Sequence, residues 1–223
     1  MTGLAASDGL LLVLSEPGGV PLDEFHRWYD TDHGPARLRV PGVYAGHRFR
    51  AADGEVPGWL AVYPLRLAAL ESPEYAAIRG RSPYEQTVVE RLATLDRRVY
   101  ARLDGGGDGG AEASPAGVPL LLTVGLTSTA PAELDAWYAE EHVPLLRAVP
   151  GWLRITRYRR LEGAGPDLLA VHELAGPDVF DTAEYRRAVS TPRRAAVLRT
   201  VTQRERRLFS HHRTLLATDA AAR

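Results

Sequence analysis

The 223-residue sequence contains no cysteine and no lysine. Without cysteine, the chain has no disulfide, no thiolate nucleophile and no cysteine ligand for zinc or an iron–sulfur cluster. Without lysine, Schiff-base catalysis through a lysine amine is excluded. All 27 basic residues are therefore arginines. Codon bias in a GC-rich genome explains this most simply, and selection for the bidentate contacts of arginine is the alternative.

The sequence also lacks long apolar segments and an excess of either charge. Its longest apolar runs, residues 10–14 and 118–122, have the length of strands and fall far below the about 20 residues that span a bilayer. The N-terminus has no basic segment followed by an apolar one. We therefore expect no signal peptide, no membrane partner and a cytoplasmic protein. The net charge of −1, with both signs interspersed, argues against a nucleic-acid partner.

What the sequence does contain is an internal repeat. Residues 28–35 (WYDTDHGP) return as residues 137–144 (WYAEEHVP), a shift of 109 positions. The same shift maps the V-P-G of residues 40–42 onto residues 149–151, and the L-A-V of residues 60–62 onto residues 169–171. A repeat of this length indicates a fused pair of homologous domains. The domains are predicted at residues 1–103 and 118–223, joined by a Gly-rich linker at residues 104–117.

The hydrophobic patterns predict the same order of elements, β-α-β-β-α-β, in each half. In the first half, strands are predicted at 10–15, 43–50, 59–65 and 95–103, and helices at 21–32, 73–78 and 83–94. In the second half, strands are predicted at 118–126, 152–160, 168–174 and 204–211, and helices at 132–141, 183–189 and 193–201. The predicted fold is α+β: two ferredoxin-like repeats, packed sheet against sheet, forming a pseudo-dimeric α/β barrel within one chain.

The repeated W-Y-x-x-x-H-x-P motif, followed by V-P-G and a strand, resembles the EthD-like members of the dimeric α/β-barrel superfamily. Both copies match: Trp28, His33, Pro35, Pro41 and Gly42 in the first half, and Trp137, His142, Pro144, Pro150 and Gly151 in the second. The resemblance implies a ligand held between the sheet and its helices. It also implies one of several activities, because the superfamily includes cofactor-free monooxygenases, isomerases, dehydratases and other lyases, and haem-binding branches.

The spacing of residues in the motif indicates a site independently of the resemblance. Phe25, Tyr29 and His33 lie four residues apart, so they share one helix face, and Leu134, Tyr138 and His142 repeat this pattern. Each histidine is expected at the C-terminal end of its helix, where the helix dipole favours a protonated imidazole near pH 7. It would act as a general acid, or as a base after losing its proton. The alternative is a structural cap on the last helical carbonyls.

Further candidates lie on the strands, at polar positions that differ between the halves. Tyr63 corresponds to His172, and His47 corresponds to Thr156. A ligand pocket in one half would explain this divergence, and drift on a solvated strand face is the alternative. The candidate catalytic residues are His33, His142, His172 and Tyr63. The candidate substrate-binding residues are Trp28, Tyr29, His47, Phe49, Trp59, Trp137, Tyr138, Trp152 and Tyr158.

These features predict a cofactor-independent enzyme that acts on a small aromatic or polyketide-like substrate by histidine acid–base catalysis. Dehydration, isomerisation or cyclisation in secondary metabolism or aromatic breakdown is the first hypothesis. A quinone-forming, cofactor-free monooxygenase is the second, and a non-catalytic ligand-binding protein is the third. No nucleotide-binding, P-loop or zinc-protease motif is present, and no metal site is predicted. Haem stays open, because one histidine suffices as its axial ligand. Further homo-dimerisation, through a separate surface, is also left open.

Overall fold

Eight antiparallel strands close into one barrel in the computed structural model, which describes residues 7–103 and 118–217. The strands are β1 (Gly9–Glu16), β2 (Ala45–Ala51), β3 (Trp59–Leu65), β4 (Thr94–Arg102), β5 (Leu120–Ser128), β6 (Trp152–Glu162), β7 (Leu168–Leu174) and β8 (Val201–Leu216). The predicted linker, residues 104–117, lies outside the described residues.

The order of strands is the same in each half of the chain. It is β4-β1-β3-β2 in the first half and β8-β5-β7-β6 in the second. The two sheets face each other across the interior, but β2 also pairs with β8 and β4 with β6. The predicted α/β barrel is therefore present, and pairing between the halves closes it into one continuous sheet. Strand β8 is 16 residues long, so it reaches both β5 and β2, and closure leaves no unpaired strand edge.

Alternate side chains of each strand point to the barrel interior and to the helices outside. Because both faces are covered, β1 contains the continuous apolar run Leu10–Leu14, and Leu10 and Leu11 are both buried although they lie on opposite faces. The interior is filled by large side chains, among them Phe49, Tyr100 and Phe209. This packed interior leaves the space between the sheet and the helices as the place for a ligand.

Eight short helices cover the outside of the barrel. They are α1 (Leu22–Trp28), α2 (Gly34–Leu38), α3 (Pro73–Arg79), α4 (Pro83–Arg91), α5 (Pro131–Trp137), α6 (Val143–Arg147), α7 (Ala183–Ala188) and α8 (Pro192–Leu198). Side-chain caps from Ser72, Ser82, Thr182 and Thr191 begin α3, α4, α7 and α8. Two 3₁₀ turns, Leu67–Glu71 and Pro177–Asp181, precede α3 and α7.

The first helix of each half continues beyond the predicted end. A π-helical turn, Tyr29–His33 or Tyr138–His142, joins α1 to α2 and α5 to α6. In the first turn, the Gly34 N–H bonds to the Tyr29 carbonyl five residues back. The predicted helix ends at residues 32 and 141 are wrong, because this wider turn accommodates the following proline without breaking the helix. Both histidines therefore lie in mid-helix.

The V-P-G turns after these helices form as expected. Gly42 and Gly151 have φ of 92° and 81°, a left-handed conformation that glycine adopts without steric cost. Each turn leads directly into the next strand of its half, β2 or β6. Among the described residues, no helix is long and apolar enough to cross a membrane.

Candidate functional site

A cavity lies between the helices and the sheet in the second half of the chain. Its walls come from β5, β7 and β8 of the sheet and from α5 to α8 with the π-helical turn Tyr138–His142. The empty space, open mouth included, is about 500 Å³, and about 50 Å³ of it is accessible to the centre of a water molecule. This is room for a few water molecules or for part of a small organic ring.

His142 lines this cavity as the last residue of its π-helical turn. Its ring stacks on Trp137 with 4.3 Å between the centroids. Its Nδ1 is buried without a hydrogen-bond partner among the described residues. In the neutral tautomer that carries its proton on Nε2, this Nδ1 has a free lone pair.

His172 is a second buried imidazole in the cavity wall, 1% exposed on β7. The Trp152 indole Nε1–H donates to its Nδ1 at 3.3 Å. Since Nδ1 accepts, the proton of the neutral ring lies on Nε2, which is a hydrogen-bond donor. Trp152 in turn stacks on Tyr185, with 5.7 Å between the centroids. The two indoles of the cavity thus each hold one histidine in place.

The cavity histidines are neutral at pH 7. Burial, with a further contribution from the Arg194 guanidinium, lowers the pKa of His142 to about 4 against the smaller opposing effects of the Ala188 backbone and Glu141. Burial lowers the pKa of His172 to about 3, with additional contributions from His142 and Arg206. The expectation of protonated histidines at helix ends is therefore wrong. The helix dipole does not act on a mid-helix residue, and loss of hydration dominates.

Three arginines without acidic partners line the cavity. Arg194 comes from α8, and Arg204 and Arg206 come from β8, where both are exposed. Burial, followed by the charge of Arg204, lowers the pKa of Arg194. Within residues 7–103 and 118–217, no carboxylate forms an ion pair with any of the three. Arg194 instead donates to the Val189 carbonyl at 2.9 Å.

The equivalent region of the first half has different polar contacts. His33 is buried, and its Nδ1–H donates to the Glu85 carboxylate at 2.7 Å. The Tyr63 hydroxyl donates to that of Tyr29 at 3.2 Å. Burial lowers the pKa of His33 to about 3, with a contribution from Arg37 and against the effect of Glu85. In the first half, therefore, His33, Tyr29 and Tyr63 all have side-chain hydrogen-bond partners.

Both tryptophan candidates of the first half, Trp28 and Trp59, are part of the packed layer between the helices and the sheet. Trp28 lies 4.4 Å from His33 between ring centroids, and its indole nitrogen is buried without a partner in the described part of the chain. Trp59 contacts His26 at 4.6 Å between centroids. Nearby, Arg48 forms an ion pair with Asp30 at 2.7 Å. These contacts give Arg48 a structural role.

The remaining candidates are on the other side of the sheet. His47, Phe49 and Tyr158 pair with residues that face the barrel interior, so they are separated from the helix-side cavity. The Nδ1 of His47 bonds to the Thr214 hydroxyl at 3.0 Å. Burial lowers the pKa of His47 to about 4, and His211 contributes. Of the candidates, the cavity is thus lined by His142, His172, Trp137, Tyr138 and Trp152. His47, Phe49 and Tyr158 do not line it.

Glu85 and Arg194 were not among the candidates, although they occupy corresponding positions under the 109-residue shift. Glu85 contacts the first histidine of the motif, and Arg194 lowers the pKa of the second. The signal in the sequence was a change from acid to base at a repeated position, three residues after the capping Ser or Thr of a Ser-Pro or Thr-Pro pair. Arg204 carried no comparable signal, because its position on the cavity side of β8 depends on the register with β5.

The cavity does not fit haem as it stands. The space accessible to a water molecule is about 50 Å³, which is too small for a porphyrin, and the ring of His142 is covered on one face by Trp137. Among the described residues, no group of three or more histidine, aspartate or glutamate side chains could hold a metal ion. The groups that remain for chemistry are the two imidazoles and the arginines.

Solved structures with the same fold cover nearly the whole chain at low identity. An anthrone oxidase-like protein has 15% identity and a TM-score of 0.66, covering 96% of this chain and 94% of that chain. A protein from Lactobacillus acidophilus that is assigned as a monooxygenase has 7% identity and a TM-score of 0.54, covering 94% and 97%. A mutant chlorite dismutase from Candidatus Nitrospira defluvii has 11% identity and a TM-score of 0.55, covering 98% and 97%.

These similarities show that the chain has the dimeric α/β-barrel fold, as the sequence motif implied. No protein-family model and no curated protein matches the sequence. The narrower EthD-like assignment, the duplication and the domain boundaries stay predictions. At this level of identity the likeness concerns the fold, and function has to be argued from the cavity.

Proposed function

We propose that the second-half cavity is the active site of a cofactor-independent enzyme that removes a proton from a small aromatic or polyketide-like substrate. The observation that carries this proposal is the buried Nδ1 of His142, which has no hydrogen-bond partner among the described residues. A buried polar atom without a partner is costly. A substrate proton aimed at this lone pair would satisfy it, and its transfer would make His142 the catalytic base.

His172 supplies the complementary group. A carbon acid that loses a proton becomes an enolate or phenolate, whose oxygen needs a hydrogen-bond donor. The Nε2–H of His172 is such a donor, because Trp152 occupies Nδ1. A neutral imidazole suits this role, because its N–H donates a hydrogen bond to the oxygen and keeps its proton at pH 7. In this scheme the proton moves from substrate carbon to His142, while the negative charge on the substrate oxygen is stabilised at His172.

The low pKa of His142 in the empty cavity rises when an anion forms beside it. Burial and Arg194 hold this pKa to about 4, which keeps the base unprotonated at pH 7 but makes it weak. A nearby negative charge favours the imidazolium form. The base therefore gains proton affinity as the enolate develops, and this coupling favours the transition state over the bound substrate.

The fate of the enolate defines two candidate reactions. Return of the proton to another carbon, or loss of a leaving group, gives isomerisation, dehydration or cyclisation. Alternatively, the enolate reduces dioxygen, which inserts one oxygen atom into the substrate and releases the other as water. The second reaction is kept as the alternative because an anthrone oxidase-like protein and an assigned monooxygenase share this fold. Both reactions begin with the same proton abstraction.

Anthrone is a suitable probe, because its methylene carbon loses a proton readily and its oxygen then carries the charge. In this proposal only its reacting edge enters the enclosed space, and its outer rings lie in the open mouth of the cavity. We expect the protein to accelerate exchange of the methylene hydrogens in D₂O under nitrogen, followed by NMR. His142→Ala should slow this catalysed exchange by at least about a hundredfold, since general base catalysis typically contributes that much or more. His33→Ala changes the corresponding residue outside the cavity and should leave the rate close to that of the parent protein.

Circular dichroism of each variant provides the folding control. A parallel assay in air, with an oxygen electrode, separates the two reactions: oxygen consumption that depends on His142 supports the monooxygenase. An exchange rate that is unchanged in His142→Ala would refute the assigned base. Tight anthrone binding with no exchange and no oxygen uptake would instead favour a non-catalytic ligand-binding protein.

A further inference from the structure

We infer that the cavity binds an aromatic carboxylate, with the carboxylate on Arg194, Arg204 and Arg206 and the ring against the aromatic walls at the open mouth. We call these three residues the arginine rim. The inference rests on the proposed function for its site and adds the class of ligand, which neither the motif nor the fold specifies.

The arginine rim lies on one side of the sheet at one opening. Arg204 and Arg206 are two residues apart on β8 and pair with Leu126 and Val124, two other cavity residues. Residues two apart on a strand point to the same face. Arg194 lines the same space from α8 and is close enough for the charge of Arg204 to lower its pKa. All three arginines therefore border the same cavity, and the Arg206 guanidinium lies over the Phe180 ring, 5.4 Å from its centroid.

The rim places three like charges around one cavity with no acidic partner among the described residues. For the exposed Arg204 and Arg206 this is ordinary, since exposed arginines such as Arg39 and Arg50 are also unpaired there. The half-buried Arg194 differs from the buried Arg98, which binds Asp96 and Glu205 at 2.6 and 2.9 Å, and from Arg207, which binds Asp53 at 3.0 Å. In the described part of the chain, no carboxylate lies within 4.0 Å of a rim guanidinium nitrogen. Like charges held together without a counter-charge destabilise the fold. Their retention at a cavity is explained if a ligand supplies the negative charge.

The corresponding positions of the first half differ in charge. Under the 109-residue shift, Arg206 corresponds to Arg97, which forms an ion pair with Glu162 of β6 at 2.7 Å. Arg194 corresponds to Glu85, which accepts the hydrogen bond of His33. A carboxylate is therefore present at one of these positions and paired with the other. The second half has a positive charge at both, with no paired carboxylate among the described residues, so an anionic ligand would supply the compensating charge.

The walls of the cavity select an aromatic group. Trp137, Trp152 and Tyr185 line it together with aliphatic side chains such as Leu122 and Leu146. Flat aromatic walls favour a flat ring by stacking and edge contacts. A carboxylate matches the planar fork of guanidinium, so a ring with one carboxylate satisfies both parts. Such an anion also supplies the negative charge that raises the proton affinity of His142.

The test compares benzoate with benzamide, its uncharged isostere, and with inorganic phosphate, each titrated into the whole protein in Tris chloride and followed by NMR. We expect benzoate to bind at least about tenfold more tightly than benzamide, since hydrogen bonds to charged groups are the strong ones. The benzoate affinity should fall as salt is raised. Phosphate should bind more weakly than benzoate, because it has no ring to pack against the aromatic walls.

Arg194→Gln should raise the Kd of benzoate by about tenfold or more while leaving benzamide unchanged. Arg206→Gln, at an exposed position, should act in the same direction and is the second variant if the first fails to fold. Two matched controls should have no effect: Arg193→Gln, the adjacent residue, which is exposed and pairs with Glu140, and Arg97→Gln, the first-half counterpart of Arg206.

Equal affinity for benzoate and benzamide would overturn the inference, as would a benzoate Kd that is unaffected in both rim variants. Phosphate binding as tight as benzoate binding, and lost in the same variants, would overturn the aromatic part. Catalysis is not needed for any of these measurements. Benzoate-selective binding by a protein that does not exchange anthrone would support the arginine rim and refute the proposed enzyme.

Discussion

Acidification should destabilise this fold steeply, because four histidines are buried in the neutral form. Burial is the main cause in each case, and it lowers the pKa to about 3 for His33 and His172 and to about 4 for His47 and His142. In the unfolded chain each would titrate near 6.5. Between pH 6.5 and 4, unfolding therefore takes up protons that the folded state does not bind. Stability is present above pH 6.5 and is lost as the pH falls towards the folded-state values.

The size of the effect follows from the same shifts. Each neutral buried histidine costs about 1.4 kcal/mol of stability per pH unit below 6.5, or about 2 kcal/mol at pH 5. Four such groups together give about 8 kcal/mol at pH 5, which is comparable with the whole stability of a typical domain, about 5–15 kcal/mol. Glu173 acts in the opposite sense, because burial raises its pKa and its protonation offsets part of the loss.

Urea unfolding at pH 7, 6, 5.5 and 5, followed by circular dichroism, measures this slope. His172→Gln removes one buried titrating group, so its free energy of unfolding should fall less steeply with pH, by about 1.4 kcal/mol per pH unit. Burial also lowers the pKa of His212, but this residue is exposed, so His212→Gln should flatten the slope less than His172→Gln and is the comparison variant. A urea midpoint that stays constant from pH 7 to 5, or equal slopes for parent and His172→Gln, would refute the argument.

Two further predictions concern ion pairs in other parts of the fold. Glu85→Gln removes the charge that receives the His33 hydrogen bond and should lower the free energy of unfolding by about 1–3 kcal/mol in urea titrations; Glu90→Gln, on the exposed face of the same helix, should have little effect. Arg98→Ala leaves two carboxylates unpaired near the barrel interior and should cost about 3–5 kcal/mol, whereas Arg160→Ala, at a surface pair, should cost less than about 1 kcal/mol. Equal losses for either residue and its control would contradict the assigned roles.

The order of strands and helices was predictable because it depends on local patterns that occur twice. The predicted strands at residues 59–65 and 168–174 match β3 and β7 in the structure. Local patterns are insufficient where an element is defined by a distant partner. Strand β8 was predicted at residues 204–211, but it extends over Val201–Leu216. Its extra residues pair with β2 of the other half, and nothing in the local sequence specifies that contact.

The site was harder to predict for the same reason. The motif indicated His33 and His142 through helical spacing, but spacing does not reveal the π-helical turn that places both in mid-helix. Nor does it reveal burial, which lowers the pKa of both residues. His47 and His172 both differ between the halves in sequence, yet β-sheet register places His47 in the barrel interior and His172 in the cavity wall.

The different surroundings of the two motif histidines favour a single active site in the second half of the chain. In a native structure nearly all buried polar groups have partners, so an exception calls for an explanation. The Nδ1 of His33 has Glu85 as its partner. The Nδ1 of His142 has none within the described ranges, and the position equivalent to Glu85 carries the positive charge of Arg194. A carboxylate there would hold the imidazole N–H, as it does in the first half, and compete with substrate. An arginine leaves the lone pair free and attracts an anion towards it, so one exchange of charge separates a structural histidine from a candidate base.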